Sequence, residues 1–293
     1  MTPTKILVPT DFSDCAHHAT EYALRLGRML GAEVHLLHRV HLHPLWSVFT
    51  EEEKQAYPES KFWERITLRE FQKIRDKYPE DEGRLFTHYS HGDLVPLITK
   101  YVEDLAIEWV VMGTHGADGF RELIFGSNAQ KVVRNLLCPV IVVKNAPVRE
   151  EIQNILFASD FYGEVEEGFD QICDLAQTVG TTLHLTHVTG YPQTQLSHAE
   201  MTQILYYAQK ARGKGLEVII HEKMDFSVEH GISTLAREIR ADVLAMVHFP
   251  HSLMYRVVLG SVTESVVNHL ELPVVSLPAT VSEEEKAVST LDE

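Results

Sequence analysis

Cysteine is scarce in this chain: Cys15, Cys138 and Cys173 are the only three among 293 residues, and no two have the CxxC spacing. An odd, widely spaced set excludes a disulfide framework and fits a reducing compartment. Basic residues are also in short supply, 26 against 42 acidic ones, for a formal net charge of −16. Such a surface repels nucleic-acid backbones and anionic membranes, so neither is an expected partner. No apolar run approaches the length of a membrane span, and Met1 leads into the strand-like Ile6-Leu7-Val8 without a charged-then-apolar leader. The expectation is a soluble, cytoplasmic protein. Also missing are a Gly-x4-Gly-Lys-Ser/Thr loop, a Gly-x-Ser-x-Gly elbow and a His-Glu-x-x-His helix, so no catalytic set is expected.

What the chain does contain is a repeat. Lys5-Ile-Leu-Val-Pro-Thr-Asp-Phe12 matches Asn154-Ile-Leu-Phe-Ala-Ser-Asp-Phe161, and Leu36-Leu-His38 matches Leu185-Thr-His187, both at an offset of 149. Trp109-Val-Val-Met112 matches Val243-Leu-Ala-Met246, Gly126-Ser127 matches Gly260-Ser261, and Cys138-Pro139 matches Leu272-Pro273, at an offset of 134. A repeat of this length implies two similar domains. They are read as 1–146 and 152–279, followed by a flexible tail, 280–293. The 15 extra residues of the first half fall between His38 and Trp109, and the Pro- and aromatic-containing stretch 40–60 is the expected place. A loop there is a candidate lid.

Each half alternates strands and helices, and 6–8, 110–112 and 140–143 are short continuous apolar runs. That pattern predicts an α/β fold with a parallel sheet covered on both faces. The first helix is marked by Ser13 as N-cap, Ala19, Ala23, Leu26 and Leu30 on one face, and Gly31 as its stop. In such sheets ligands bind beyond the carboxyl ends of the strands, where the winding reverses. There the sequence reads Met112-Gly113-Thr114-His115-Gly116, nine residues, then Gly126-Ser127. The first two glycines would let the chain turn and bring backbone N–H groups close to phosphate oxygens. Gly126 would open a helix whose first-turn amides and dipole favour an anion, with the Ser127 hydroxyl as a further donor.

With Val8-Pro9-Thr10-Asp11-Phe12-Ser13 at the first strand and Leu36-Leu37-His38 at the second, this glycine pattern resembles the universal stress protein family. The resemblance covers nearly the whole chain, twice. It implies two Rossmann-like domains of strand order 3-2-1-4-5, the kind called adenine nucleotide alpha hydrolase-like, and a pocket for ATP, ADP or AMP between the first and fourth strands. By position, Pro9, Thr10 and Asp11 would line the adenine and ribose side. Met112, Gly113, His115 and Gly116 would flank ribose and phosphates, and Gly126, Ser127 and Asn128 would hold the phosphate chain. Asp11 is better suited to ribose, or to a divalent companion such as Mg2+, than to phosphate, because like charges repel. Arg39 stands where the family has a small apolar residue against the base, and Asn128-Ala129 replaces Val-Thr. The family dimer further implies that 140–144 and 274–277 are pairing edges, giving an intramolecular pseudo-dimer, with a homodimer left open.

The second half departs from the pattern. Val247 and Pro250 replace Gly113 and Gly116; valine tolerates positive φ poorly and proline has no N–H to offer. Gly260-Ser261-Val-Thr263 and Asp160 persist, so a degenerate site is expected there. Among the 17 histidines, His35 with His38 and His184 with His187 lie three apart on strands and face opposite ways, which argues against metal chelation. His41 with His43, and His248 with His251 in the altered loop, keep a metal reading beside a solvated-loop one. Cys15, near Asp11, is read as packing or as a thiol activated by the helix end. Three functions follow: a regulatory nucleotide-binding module, a weak ATPase or phosphotransferase with Arg121 as its test cation, and a scaffold without ligand.

Overall fold

The computed structural model describes residues 4–40, 48–50, 52, 58–114, 126–144, 151–162, 165–190, 196–248 and 270–279. In the first half β1 (Lys5–Thr10), α1 (Asp14–Leu30), β2 (Glu33–Arg39), α2 (Pro58–Lys77), β3 (Leu85–Ser90), α3 (Leu94–Leu105), β4 (Trp109–Gly113), α4 (Ser127–Asn135) and β5 (Val140–Val143) alternate. The second half contributes β6 (Asn154–Ala158), α5 (Glu166–Val179), β7 (Thr182–Gly190), α6 (His198–Gly213), β8 (Val218–Asp225), α7 (Val228–Glu238), β9 (Val243–His248) and β10 (Val274–Pro278).

The strands form one ten-stranded sheet in the order β3-β2-β1-β4-β5-β10-β9-β6-β7-β8. Each half therefore has its first strand between its second and fourth, and the winding reverses at β1/β4 and β6/β9. Every ladder is parallel except β5–β10, where Val142 faces Val274 and Ile141 faces Val275 in antiparallel register. That pairing gives each half's last strand a neighbour, so neither is left as an open edge.

Sequence periodicity explains the layers. Side chains alternate along a strand, so Ile6 and Val8 enter the core beneath α1 while Leu7 enters the one on the other face. All three are fully buried, as are Val110, Val140 and Ile141, which accounts for continuous apolar runs. Each core continues through the β5–β10 seam: Val143 and Val275 share one, Val142 and Val274 the other. The first helix begins where its cap signal places it, with Ser13 Oγ accepting from the Ala16 N–H at 3.3 Å, and ends at Gly31 with φ 63°.

Two expectations need adjustment. Val34 faces Leu85 and Leu183 faces Val218, so the offset has already dropped from 149 to 133 by β3. The extra residues of the first half thus include part of α2, which has 20 residues against 16 in α6. Of the proposed lid, 41–47, 51 and 53–57 lie outside the described residues, as do the tail 280–293 and His41 and His43. Secondly, His248 is not in a loop. It ends β9, is 7% exposed, and its Nδ1 lies 2.9 Å from Ser276 Oγ, while its carbonyl accepts from the Ala279 N–H. Burial pushes its ring pKa down to about 4. His248 is a core residue and not a ligand in a solvated loop; His251 is outside the described residues.

Candidate functional site

The carboxyl end of β1 turns sharply into α1, and two side chains hold that corner. Thr10 Oγ1 accepts from the Phe12 N–H at 3.1 Å and Asp11 Oδ1 accepts from the Ser13 N–H at 3.0 Å, with Phe12 at φ 64°. A left-handed phenylalanine is a strained choice that its surroundings must enforce. Its ring is clamped against His38 at 4.4 Å and Phe71 at 5.3 Å, and His38 Nδ1 lies 2.8 Å from the Thr10 carbonyl oxygen, to which it donates. The second half repeats the corner with Ser159, Asp160 and Phe161 at φ 60°. Thr10 and Asp11 therefore shape the rim as well as standing on it. In the sequence His38 stands out as part of Leu36-Leu37-His38 and as a discounted metal ligand; its recurrence as His187 at the same offset was the available signal for a positioning role.

Next to this corner the β1–β4 ladder ends. Lys5 O accepts from Glu108 N while Thr4 O accepts from Glu33 N, so alternation turns Leu7 and Pro9 towards β4. Pro9 has no N–H on that side, and the recorded β1–β4 register stops at Leu7 with Val110, although β1 runs to Thr10 and β4 to Gly113. In the second half Ala158 replaces Pro9, and the β6–β9 register runs on to Ala158 with Met246. The hydrogen-bonded ladder thus ends early in one half, at the expected crevice between its first and fourth strands, and runs to the end of the first strand in the other.

Gly113 lines this crevice for a reason other than the turn the sequence suggested. Its backbone is not left-handed, so positive φ is not what excludes valine here. An added Cβ would instead meet the Cys15 carbonyl oxygen at 2.7 Å, a distance at which something must shift. The strand passes directly under the start of α1. In the second half Val247 takes this position, and the nearby glycine is Gly168 on α5, where an added Cβ would meet Leu277 Cβ at 3.0 Å. Cys15 is partly exposed and unbridged; Cys138 and Cys173 are buried, and burial pushes their thiols up to about 12.

Across the crevice, Gly126 (φ −54°, ψ 136°) caps α4, and its carbonyl accepts from the Gln130 N–H at 2.9 Å. The amides of Ser127, Asn128 and Ala129 precede that first intrahelical bond, and the Ser127 and Asn128 side chains are exposed. The first turn of α4 carries no acidic residue, as in α3, which however has Asp93 at its N-cap; α1 has Asp14, α5 has Glu166 and Glu167, α6 has Glu200 and α7 has Glu229. The positive end of α4 is not neutralised by its own carboxylate, which suits an anion.

The remaining sequence candidates are distributed as follows. Met112 is 5% exposed, its side chain committed to the core, so only its main chain is on offer. Arg39 ends β2, partly buried, one strand away from the crevice. His115, Gly116, Arg121 and, in the second half, Pro250 and 260–263 lie outside the described residues. Among the described residues no group of three or more His, Cys, Asp or Glu side chains is placed to hold a metal ion, and no helix is long and apolar enough to cross a membrane.

This fold has known counterparts. The profile of the universal stress protein family matches residues 3–144 and again 151–278. A universal stress protein from Archaeoglobus fulgidus DSM 4304 superposes with a TM-score of 0.70 at 21% identity, over 94% of this chain and 96% of that one. A putative universal stress protein from Pseudomonas aeruginosa UCBPP-PA14 gives a TM-score of 0.60 at 15% identity, over 99% and 97%. Universal stress protein MJ0531 of Methanocaldococcus jannaschii is 29% identical over 147 residues, 48% of this chain and 81% of that protein. Matched twice along nearly its whole length, the chain belongs to the universal stress protein family as a tandem of two such domains.

Proposed function

We propose that this protein is a cytoplasmic regulator of the stress response that binds ATP, or ADP or AMP, in its first half alone. The observation that carries this reading is the contrast at equivalent strands: the β1–β4 register stops at Leu7, two residues short of Pro9, whereas the β6–β9 register reaches Ala158, the counterpart of Pro9. The first crevice then leads to a helix start without a carboxylate of its own. A flat base would enter between the strand ends near Pro9 and Thr10. The phosphates would meet the first-turn amides and hydroxyl of Ser127 and the amide of Asn128. Asp11, exposed at the corner, suits ribose or a companion Mg2+.

On this reading the protein binds without turnover, and the second half is its structural partner in a pseudo-dimer about the β5–β10 seam. Occupancy would alter a surface offered to other proteins. Mass spectrometry of small molecules released on denaturing the freshly purified chain tests the reading. An adenine nucleotide near one per chain is the expected result. Its absence, together with no uptake of added ATP in equilibrium dialysis, rejects it.

A further inference from the structure

Away from the crevice, both halves build the same pair of histidines. His35 on β2 meets His88 on β3 with Nδ1 and Nε2 3.0 Å apart, and His184 on β7 meets His221 on β8 with the same atoms 2.8 Å apart. The partners are diagonal neighbours in each ladder: His88 faces Leu37 and His221 faces Thr186, two residues beyond the inner histidine. Ring planes lie within 18° and 16° of each other, with centres 5.2 Å and 5.1 Å apart. Those separations match the N···N distance plus two ring radii, the largest value that distance allows, so a nitrogen of one ring faces a nitrogen of the other head-on. That is the geometry of a linear N–H···N hydrogen bond and leaves no room for a bridging ion.

The tautomers follow from the outer contacts. His35 Nε2 lies 3.3 Å from Glu33 Oε2, and His184 Nε2 lies 3.1 Å from Asn154 Oδ1. Both oxygens only accept, so in each inner histidine Nε2 carries the proton and Nδ1 accepts from the outer histidine. A first added proton is tolerated, because the outer ring can shift its own proton and leave an imidazolium donating to a neutral ring. A second places N–H against N–H with two like charges, and no hydrogen bond survives.

We propose that these pairs are proton-operated clasps fastening the outer strands β3 and β8, and that the clasp on β3 opens before that on β8 as pH falls. The order comes from the acceptors: Glu33 offers a carboxylate to the protonated pair, Asn154 only a neutral amide. Around the first pair, Lys5 lies 4.0 Å from Glu33 and opposes it in part, and Tyr101 of α3, itself near Asp104, packs its ring on His88. Around the second, Glu217 and Glu238 favour protonation and Lys223 disfavours it; Lys223 is paired to Glu238 at 2.8 Å. Asp242 accepts from the Gln153 and Asn154 amides. No group but Glu33 puts a carboxylate directly on an inner ring among the described residues.

Imidazole nitrogen NMR and amide exchange on the intact chain test the proposal. Near neutral pH both inner rings should carry their proton on Nε2, and His35 should titrate about half a pH unit or more above His184. Amide protection in β3, corrected for intrinsic exchange, should fall about tenfold at a pH where β8 is still protected; β8 should follow, with β1 and β6 holding throughout. Glu33→Gln should bring the two strands to the same pH. An Nδ1-protonated His35 or His184 at neutral pH, outer strands no more acid-labile than β1 and β6, or an unchanged order in Glu33→Gln would each overturn it.

Discussion

Gly113 and Cys15 are packed so closely that one methyl group added to the glycine would stand 2.7 Å from the cysteine's carbonyl oxygen. Gly113→Ala should therefore force β4 and α1 apart and destabilise the protein by about 1–3 kcal/mol, visible as a lower thermal midpoint. Loss of nucleotide affinity should accompany it, since the crevice lies at that contact. Ala in place of Val247, by contrast, should leave a void and cost about 2 kcal/mol without touching nucleotide binding.

Pro9→Ala should restore an N–H facing β4 and let the ladder run on, as Ala158 does in β6. Stability should hold or rise, while affinity for ATP falls about tenfold as the crevice narrows. Denaturant unfolding and a binding isotherm on one preparation decide it; unchanged affinity would show that Pro9 does not open the site.

Asn128→Asp separates helix stability from ligand binding because its two effects have opposite sign. A carboxylate in the first turn of α4 should stabilise the helix by about 0.3–1 kcal/mol. The same charge should repel phosphate and weaken ATP by about tenfold or more. A variant that is both less stable and equally tight would contradict the assignment of that helix end.

Much of this was legible in the chain itself. The cap Ser13 and stop Gly31 are local signals, and the helix runs between them. The α/β class is carried by apolar runs that the two-sided burial of Ile6, Leu7 and Val8 explains. Less legible was anything that depends on which way a residue faces. Gly113 is conspicuous in the sequence, but its cause is a helix returning over it, not a left-handed turn. Pro9 is equally visible, yet its consequence depends on the parity of the ladder. His35 and His88 are 53 positions apart and meet only because β3 pairs in one register.

Stability should fall in acid. Desolvation lowers the pKa values of His35, His88, His184, His221 and His248 in the folded chain. Each therefore binds fewer protons folded than unfolded, and stability declines as pH drops below the unfolded histidine value of about 6.5. For His248 the decline continues to about 4. His248→Asn, which retains a polar partner for Ser276, should flatten the acid limb of a plot of unfolding midpoint against pH; an unaltered limb would assign the loss to other groups.

The most direct measurement is calorimetric titration of the intact chain with ATP, alongside the Asn128→Asp variant. The prediction is one site per chain, greatly weakened by the substitution. Two sites per chain, or none, or one that ignores the new carboxylate, would contradict a single crevice in the first half.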